Sequence, residues 1–497
     1  MTVLLKKQHP LFDYYKLEKV VTLNVPSAYR GLAAFHKYWG KKPVELVSFL
    51  IEKLTDPQDI VLDPFLGGAL ATRCASELQR RFIGIDVNPI SLELAEFFLD
   101  LPDPEQYEKS LWEVTQNVKN EIEDSYRTKN DFIASHYLWQ ENALQQVWVT
   151  MNRQKQENHP SPTDLKQIER FYDYSPKRLR DIVFFDNSRI NSSCQMQWHD
   201  LFTGRALRNI ELLLTSFDRY STTIRRALQL TLTSNMGQMS KMVFAISHRG
   251  KSKGNISQAS YCEVGSWAIG FWRPLLHFEI NVWNCFFLRA TKLLRLLKSI
   301  NLKKTKCLTS RTINDFFRRN HSQCLLLDSC LNVLPTIPDN TVSLIITDPP
   351  HGDRMPYLEL SELWNAVFSK SPPNFQSEIV VSNAKNRQKN IHSFFSDMNV
   401  FMKECARVLD ERKGILALMF NAKDSEAWKF LLQETNLNYQ GCFPQKYSAG
   451  SIVQDNRTGA MKEDYVLIFS KASHFDNTVF SDISGWTTCF PSHSSNQ

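Results

Sequence analysis

The stretch DIVLDPFLGGALATRCASELQRRFIGIDVNP, residues 59–89, predicts the fold of this chain. IVL has the composition of a short buried strand, and the glycine pair that follows it predicts a turn. ATRCASELQRR then predicts a helix and FIGID a second strand, and each strand ends at an acid, Asp63 and Asp86. A strand–turn–helix–strand unit of this kind is typical of a doubly wound α/β sheet that binds nucleotides.

The residues around the glycine turn predict a site for an adenosine-containing ligand. Gly67 and Gly68 allow a ligand to approach the backbone closely, and the helix N-terminus beyond them favours polar or anionic groups. Asp86 ends the next strand about 20 residues further on, where a carboxylate can accept hydrogen bonds from both ribose hydroxyls. The sequence has no GxxxxGK[ST] motif, which argues against ATP hydrolysis by a P-loop.

Composition narrows the class of protein. The chain has 497 residues, of which 42% are hydrophobic, and this is enough for two or three packed units. Its formal net charge of +7 permits a polyanionic partner without requiring one. The 10 cysteines are scattered without a CxxC pair, so we interpret them as reduced core thiols and expect no metal site. We find neither a signal peptide nor a membrane span, so we expect a cytoplasmic protein without a membrane partner.

The alternation of strands and helices stops near residue 100 and returns after residue 320. We expect residues 1–100 and 321–475 to form the two halves of one α/β domain. Residues 101–320 include helical patterns such as ALQQVWVTMNRQKQEN and many basic residues, which predict a largely helical, basic insertion. Residues 476–497 are rich in Ser and Thr and predict a flexible tail.

A second informative stretch is SLIITDPPHGD, residues 343–353. Pro349 and Pro350 hold the backbone extended after a buried strand, so the Asp348 carboxylate and the Pro349 carbonyl can act as converging acceptors. Two acceptors suit one amino group, because hydrogen bonds from both its protons favour a pyramidal nitrogen whose lone pair can attack an electrophile. His351 could stack on a base beside that amine. A strand-ending turn with a solvated Asp is the alternative interpretation of the tripeptide alone.

Three stretches together resemble the amino-methyltransferases that act on DNA, the N6-adenine and N4-cytosine class. They are HKYWGKKP (36–43), LDPFLGGA…GIDVNP (62–89) and LLLD…PDNTVSLIITDPPHGD (325–353). Their order also resembles that class, with cofactor motifs first, a long insertion next and the catalytic motif last. The resemblance implies a Rossmann-like sheet, S-adenosylmethionine as cofactor, double-stranded DNA as partner, and methyl transfer to the exocyclic amino group of a flipped base.

The resemblance also implies roles for individual residues. The implied cofactor-binding residues are His36, Lys37, Tyr38, Trp39, Asp63, Pro64, Phe65, Gly67, Gly68, Asp86, Asn88 and Asp328. The implied catalytic residues, which would hold the target amine, are Asp348, Pro349, Pro350 and His351. Residues 36–42 would border the methionine end of the cofactor, and Asp328 its adenine or the floor of the crevice. Adenine N6 is favoured because Asp rather than Ser precedes the two prolines in the adenine enzymes of that family.

The sequence departs from the family pattern in two places. His351 stands where the family has Tyr, Phe or Trp, and Ala69 and Leu70 follow the glycine pair where the family has Gly-Thr. Ala69 is compatible with the turn if its φ is negative. Three alternative functions stay open: an N4-cytosine DNA methyltransferase, an RNA amino-methyltransferase, and a non-catalytic DNA-binding protein that has kept the fold.

Basic residues of the insertion predict contacts with DNA phosphates. The predicted DNA-binding residues are Arg249, Lys251 and Lys253 in the loop SHRGKSKGN, and Arg289, Lys292 and Arg295 in RATKLLRLLKS. A solvated helix face packed through its leucines is the alternative for the second group. We find no nuclease motif, so a partner restriction endonuclease would be a separate chain.

Overall fold

A computed structural model of the protein describes residues 29–151, 154–247, 262–300, 308–319, 321–351, 355–421, 436–446 and 463–491. The chain divides into two compact units. The first comprises Met1–Asp100, Ile300–Leu358 and Pro373–Gln497, and the second comprises Leu101–Ser299 and Glu359–Pro372.

The strands of the described residues are β1 (Ile60–Asp63), β2 (Arg81–Asp86), β3 (Ala134–Gln140), β4 (Ala143–Met151), β5 (Gln154–Asn158), β6 (Val243–Ser247), β7 (Cys262–Val264), β8 (Leu276–Ile280), β9 (Thr309–Ser310), β10 (Gln323–Leu327), β11 (Leu344–Thr347), β12 (Ile415–Phe420), β13 (Asn438–Lys446) and β14 (Glu463–Ser470).

The α-helices of the described residues are α1 (Val44–Leu54), α2 (Leu70–Glu77), α3 (Pro89–Leu99), α4 (Pro104–Asp124), α5 (Pro162–Glu169), α6 (Trp198–Leu201), α7 (Gly204–Phe217), α8 (Thr222–Thr233), α9 (Val282–Ser299), α10 (Ile313–Arg318), α11 (Cys330–Val333), α12 (Tyr357–Leu360), α13 (Glu362–Phe368) and α14 (Ile391–Val408).

The first unit is built on an eight-stranded sheet with the order β13-β14-β12-β11-β1-β2-β10-β9. Neighbouring strands pair in parallel along the part of the sheet formed by β12, β11, β1, β2, β10 and β9. β14 runs antiparallel to both β12 and β13. β1 lies between β2 and β11, and this is where the strand order reverses and where ligands of open α/β sheets bind. The prediction of a mixed α/β fold with a large sheet is confirmed.

Apolar side chains explain why these segments form the sheet of the first unit. Every residue of β1, β11 and β12 is buried, as expected of parallel strands that are covered on both faces. α14 contributes Phe394, Met398 and Phe401 to the main core, at the three- and four-residue spacing of one helix face. The core therefore fixes the strand ends that carry the polar residues of the site.

The second unit contains a six-stranded sheet with the order β5-β4-β3-β8-β6-β7, in which every pairing is antiparallel. The predicted insertion therefore contains a sheet in addition to helices such as α4, α7 and α9, and one of its predicted helices is wrong. ALQQVWVTMNRQKQEN, predicted as a helix, forms β4 and β5 instead. Val147, Trp148 and Val149 of β4 are buried, and β-branched and aromatic residues fit a half-buried strand better than a helix.

The boundaries of the units differ from the predicted ones. β9 and α10, predicted within the insertion, belong to the first unit, where β9 pairs with β10. Residues 359–372, predicted within the α/β domain, belong to the second unit, where Glu362 of α13 accepts hydrogen bonds from Arg180 at 2.6 and 2.9 Å.

The prediction of a flexible tail is wrong for residues 476–491. Phe480 is fully buried, and its ring stacks on that of Trp486 with the centroids 4.5 Å apart. Cys442 and Thr487 also exchange backbone hydrogen bonds of 2.8 and 2.9 Å. Two aromatic side chains and this backbone pairing thus anchor a segment whose average composition is polar, and residues 492–497 lie outside the described part of the chain.

A buried ion pair links a helix of the second unit to its sheet. Arg205 of α7 and Glu279 of β8 are 2% and 1% exposed, and Arg205 Nε donates to Glu279 Oε1 at 2.8 Å. The guanidinium also lies 4.1 Å from the ring centroid of Tyr137. Removing one member of such a pair leaves a buried charge without its partner.

We therefore expect Arg205→Met to lower the free energy of unfolding by about 3–5 kcal/mol, and the double variant Arg205→Met/Glu279→Leu to lower it less. Urea denaturation of the purified variants measures both values. Lys298→Met is the control, because Lys298 and Glu108 form an ion pair whose side chains are 48% and 51% exposed. Lys298→Met should lower the free energy of unfolding by less than about 1 kcal/mol. A double variant as unstable as Arg205→Met would contradict the buried-charge explanation.

Candidate active site

The carboxyl ends of β1, β2 and β11 meet at one edge of the sheet and form a cleft in the first unit. Of the predicted site residues, the cleft is lined by Tyr38, Trp39, Asp63, Pro64, Phe65, Gly67, Gly68, Asp86, Asn88, Asp328, Asp348 and Pro350. His36, Lys37, Pro349 and His351 are not among its lining residues. The structure therefore brings together residues from both halves of the predicted α/β domain.

The glycine turn between β1 and α2 is closely packed. Gly67 has a φ of +49°, and a Cβ built there would lie 3.2 Å from Tyr38 Cε1. A Cβ on Gly68 would lie 2.8 Å from Lys41 Cγ, so a larger residue would displace the Lys41 side chain. Ala69 has a φ of +59°, so the condition under which alanine is compatible with the turn, a negative φ, is not met. The family's glycine at this place has a physical reason, since only glycine adopts this conformation without a steric cost.

Asp86 is held by the turn that it faces. Gly67 N donates to its Oδ2 at 2.7 Å and Asn88 N donates to its Oδ1 at 2.8 Å. Burial nevertheless raises the pKa of Asp86 to about 6. Each oxygen keeps a second lone pair, so the carboxylate can accept further hydrogen bonds from ligand hydroxyls.

Asp63, at the end of β1, is a second buried acid of the cleft. Its Oδ1 accepts hydrogen bonds from Phe65 N and Thr347 Oγ1, both at 3.2 Å. Burial, and to a smaller extent the nearby Asp86 and Asp348 carboxylates, raises the pKa of Asp63 to about 7. The cleft is therefore suited to a ligand that carries positive charge.

The segment before α1 closes another side of the cleft with buried basic and aromatic groups. Lys41 Nζ donates to the carbonyls of Ala33 and His36 at 3.0 and 2.6 Å, and burial lowers the pKa of Lys41 to about 7. Burial also lowers the pKa of Lys37 to about 8. His36 is 2% exposed, with its Nδ1 2.7 Å from the Lys37 carbonyl, so its position is that of a structural residue behind the cleft.

Asp348 follows β11, and its two carboxylate oxygens have different surroundings. Lys42 Nζ lies 3.0 Å from Asp348 Oδ2, and the same ammonium donates to Asp464 Oδ2 at 2.5 Å. Asp348 Oδ1 is buried and has no hydrogen-bond partner among the residues that the structure describes. One oxygen is thus anchored, and the other is an acceptor with unused capacity.

His351 is turned towards β12. Its Nε2 donates to the Met419 carbonyl at 3.3 Å, and its ring packs edge-on against Phe420 with the centroids 5.3 Å apart. The same Nε2 lies 3.0 Å from Asp348 Oδ1, but its proton is directed to Met419. Stacking on a base would require the ring to leave these contacts.

Asp348, His351 and Asp464 each place one potential ligand atom for a metal ion within 4.8 Å of the other two. The Lys42 ammonium already contacts both carboxylates. We therefore interpret Lys42 as the cation that balances this cluster.

Several residues of the site have no role predicted from the sequence. Asp464 and Tyr357 are the clearest, and Tyr357 stacks on Tyr38 with the centroids 5.9 Å apart. Lys42 was predicted only as the end of the segment 36–42 that borders the cofactor, and not as a partner of Asp348. Glu378 also lines the cleft and accepts a hydrogen bond from Leu358 N at 3.0 Å. A charged pair at the start of the buried strand EDYVLIFS was the available signal for Asp464.

The predicted DNA-binding residues divide into two groups. Arg249, Lys251 and Lys253 lie outside the described residues. On α9, Lys292 and Arg295 are exposed, whereas Arg289 is partly buried with its Nε 3.5 Å from Asn235 Oδ1. None of the helices in the described ranges is both long enough and apolar enough to cross a membrane.

Comparison with known proteins bears on the N-terminal half of this site. Residues 6–97 match the family model of the N6/N4 methyltransferases, which is described as DNA methylase. The predicted resemblance to the N6/N4 amino-methyltransferases is confirmed. The chain is also 30% identical over 84 residues to the Type II methyltransferase M.MjaII of Methanocaldococcus jannaschii. That match covers 17% of this chain and 16% of the relative's length.

The left-handed conformation of Ala69 generates a prediction. Ala69→Gly should raise the free energy of unfolding by about 0.5–1 kcal/mol, because relief of the strained φ exceeds the added entropy of the unfolded chain. Ala75→Gly in the interior of α2 is the matched control and should lower it by about 1 kcal/mol. Urea denaturation compares both variants with the wild type. Equal losses in the two variants would contradict the assignment of strain to Ala69.

Proposed function

We propose that this protein is a DNA methyltransferase that transfers a methyl group from S-adenosylmethionine to the exocyclic amino group of a flipped base, with adenine N6 preferred. One observation carries the proposal. The Asp348 carboxylate, with its buried and unused Oδ1, lines the same cleft as the Gly67 turn and Asp86. A predicted amine-binding group and a predicted nucleoside-binding turn thus lie side by side at the reversal of strand order.

The cleft fits S-adenosylmethionine in its chemistry. Asp86 can accept hydrogen bonds from the ribose hydroxyls, and the close-packed Gly67 and Gly68 allow contact with the backbone. Asp63 and Asp348 place negative charge beside a ligand that carries a sulfonium and an ammonium group. When bound, this cofactor supplies a methyl group on a positively charged sulfur, which keeps the carbon–sulfur electron pair. Within this proposal, the sheet is a Rossmann-like methyltransferase sheet.

The residues of the chain would act on the amine. Asp348 Oδ1 and the Pro349 carbonyl would accept hydrogen bonds from its two protons, which frees the nitrogen lone pair from the ring. The base must leave the helix to reach them, because its amino group is enclosed by the stack inside a duplex. Asp348 Oδ1 is also the acceptor for the proton that the nitrogen loses when its new bond forms.

The second unit would contribute DNA contacts. The exposed Lys292 and Arg295 of α9 can neutralise phosphates without reading sequence. The M. jannaschii relative is a Type II methyltransferase, which supports a role in restriction-modification, with the nuclease on a separate chain.

The test of the proposed function is incubation of the purified protein with methyl-labelled S-adenosylmethionine and unmethylated duplex DNA, followed by digestion to nucleosides. We expect label in N6-methyladenine and at least roughly a 10²-fold lower rate for Asp348→Ala. The exposed Asp482→Ala is the control and should keep the wild-type rate. Label in N4-methylcytosine would instead identify cytosine as the target base. Label in RNA alone, or cofactor binding without transfer to any nucleic acid, would contradict the proposal.

The raised pKa values of Asp63 and Asp86 predict pH-dependent cofactor binding. Both acids are partly protonated between about pH 6 and 7, and a cationic ligand or ribose hydroxyls favour the carboxylates. Binding must therefore release protons, so affinity should fall as the pH drops below 7, by up to about tenfold per pH unit for one linked proton. Calorimetric titration with S-adenosylmethionine from pH 5.5 to 8, about one unit either side of these pKa values, measures this slope.

Asp63→Asn is the matched variant for this measurement. Its amide oxygen can still accept the hydrogen bonds from Phe65 N and Thr347 Oγ1, but it cannot take up a proton in this range. The slope between pH 6 and 7.5, which spans the two acid pKa values, should therefore decrease by about one linked proton. An unchanged slope would show that Asp63 does not titrate with binding.

A further inference from the structure

Lys42 precedes β1 and connects two acids from the C-terminal part of the first unit. Asp348 follows the parallel strand β11, and Asp464 lies near the start of the antiparallel strand β14. The Lys42 ammonium is 2.5 Å from Asp464 Oδ2 and 3.0 Å from Asp348 Oδ2. Its side chain is 12% exposed and that of Asp464 is 2% exposed, so water screens these contacts weakly.

The two carboxylates require the cation. Their ligand atoms, with that of His351, lie within 4.8 Å of one another, and two carboxylates so close repel each other unless a cation lies between them. Two carboxylates and one ammonium leave one net negative charge in the cluster. That charge lies where an amine nitrogen becomes positive as it forms a fourth bond.

The geometry also determines which oxygen of Asp348 is available. Lys42 binds Oδ2, while Oδ1 is buried without a hydrogen-bond partner among the described residues. Asp464 cannot turn away easily, because β14 pairs with both neighbouring strands and Asp464 itself pairs with Gln445 of β13. The carboxylate of Asp348 is therefore held through Lys42 by a rigid element.

We propose that Lys42 and Asp464 are positioning residues for amine methylation: Asp464 holds the Lys42 ammonium, and Lys42 holds Asp348 so that Oδ1 accepts the hydrogen bond of the target amine. This inference rests on the proposed function. It assigns to β14 and to the segment before α1 a role in the transfer step, although neither would touch the base. The ammonium lies between the Asp348 and Asp464 carboxylates and offsets the repulsion between them.

The test is the steady-state kinetics of methyl transfer to duplex DNA for Lys42→Met, Asp464→Asn and the double variant. We expect Lys42→Met to lower kcat by roughly 10²-fold, with KM for DNA within about threefold of the wild type. Without the cation, the Asp348 and Asp464 carboxylates repel each other, and Asp348 Oδ1 loses its fixed position. Asp464→Asn should lower kcat less, because Lys42 still holds Asp348.

The double variant separates positioning from packing. Asp464→Asn removes the second carboxylate, so Asp348 in Lys42→Met/Asp464→Asn is no longer repelled and kcat should rise by roughly tenfold over Lys42→Met. A loss of packing would instead make the double variant equal to the single variant or worse. Lys413→Met is the matched control, because Lys413 forms a 2.5 Å ion pair with Asp59 at the opposite edge of the sheet. It should keep the wild-type kcat.

The outcomes distinguish this inference from the proposed function. Wild-type protein that methylates no nucleic acid would contradict the proposed function and, with it, the inference. Wild-type activity together with a Lys42→Met kcat within about threefold of wild type would contradict the inference alone. A double variant whose kcat does not rise above that of Lys42→Met would also contradict the inference alone. Calorimetric binding of S-adenosylmethionine to each variant verifies that the cleft is folded.

Discussion

The parallel pairing of β1 with β2 on one side and with β11 on the other is the constraint on which the site depends. The registers Asp63↔Gly84 and Leu62↔Ile345 bring the ends of the three strands to one edge of the sheet. Asp348 consequently lines the same cleft as Asp63 and Asp86, although Leu101–Ser299 of the second unit lie between them in the sequence. Because the strands are buried on both faces, a slip of one residue would exchange the two faces and disperse these acids.

Several carboxylates in one cleft repel one another, and different groups of the protein stabilise each of them. Asp86 accepts two backbone N–H groups, and Asp63 accepts one together with the Thr347 hydroxyl. Burial still raises the pKa of both acids, so a cationic ligand can shift them towards the ionised form. Asp348 is balanced by the Lys42 ammonium instead. The three acids therefore suit different tasks within a single cleft.

The sequence patterns predicted the first unit well and the second unit poorly. Strands such as β1 and β11 are short apolar runs next to turn residues, so their identity follows from local sequence. β5 has the sequence QKQEN and is a strand only because its backbone pairs with β4. The segment around Phe480 was predicted to be flexible from its average composition, whereas burial of that one ring determines its structure. Pairing partners and local burial are tertiary properties, and neither is encoded in a window of a few residues.

By itself, the sequence determined the glycine turn, the acids at the strand ends and the Asp-Pro-Pro segment, because each depends on the conformations that a few adjacent residues allow. Only the tertiary structure decided that Asp464 joins them. β14 runs antiparallel to β12, so the beginning of this strand lies at the edge where the parallel strands end. It also decided that Ala69 takes a left-handed conformation and that His351 packs on Phe420. Strand direction and side-chain packing depend on neighbours that are distant along the chain, so local sequence patterns do not reveal them.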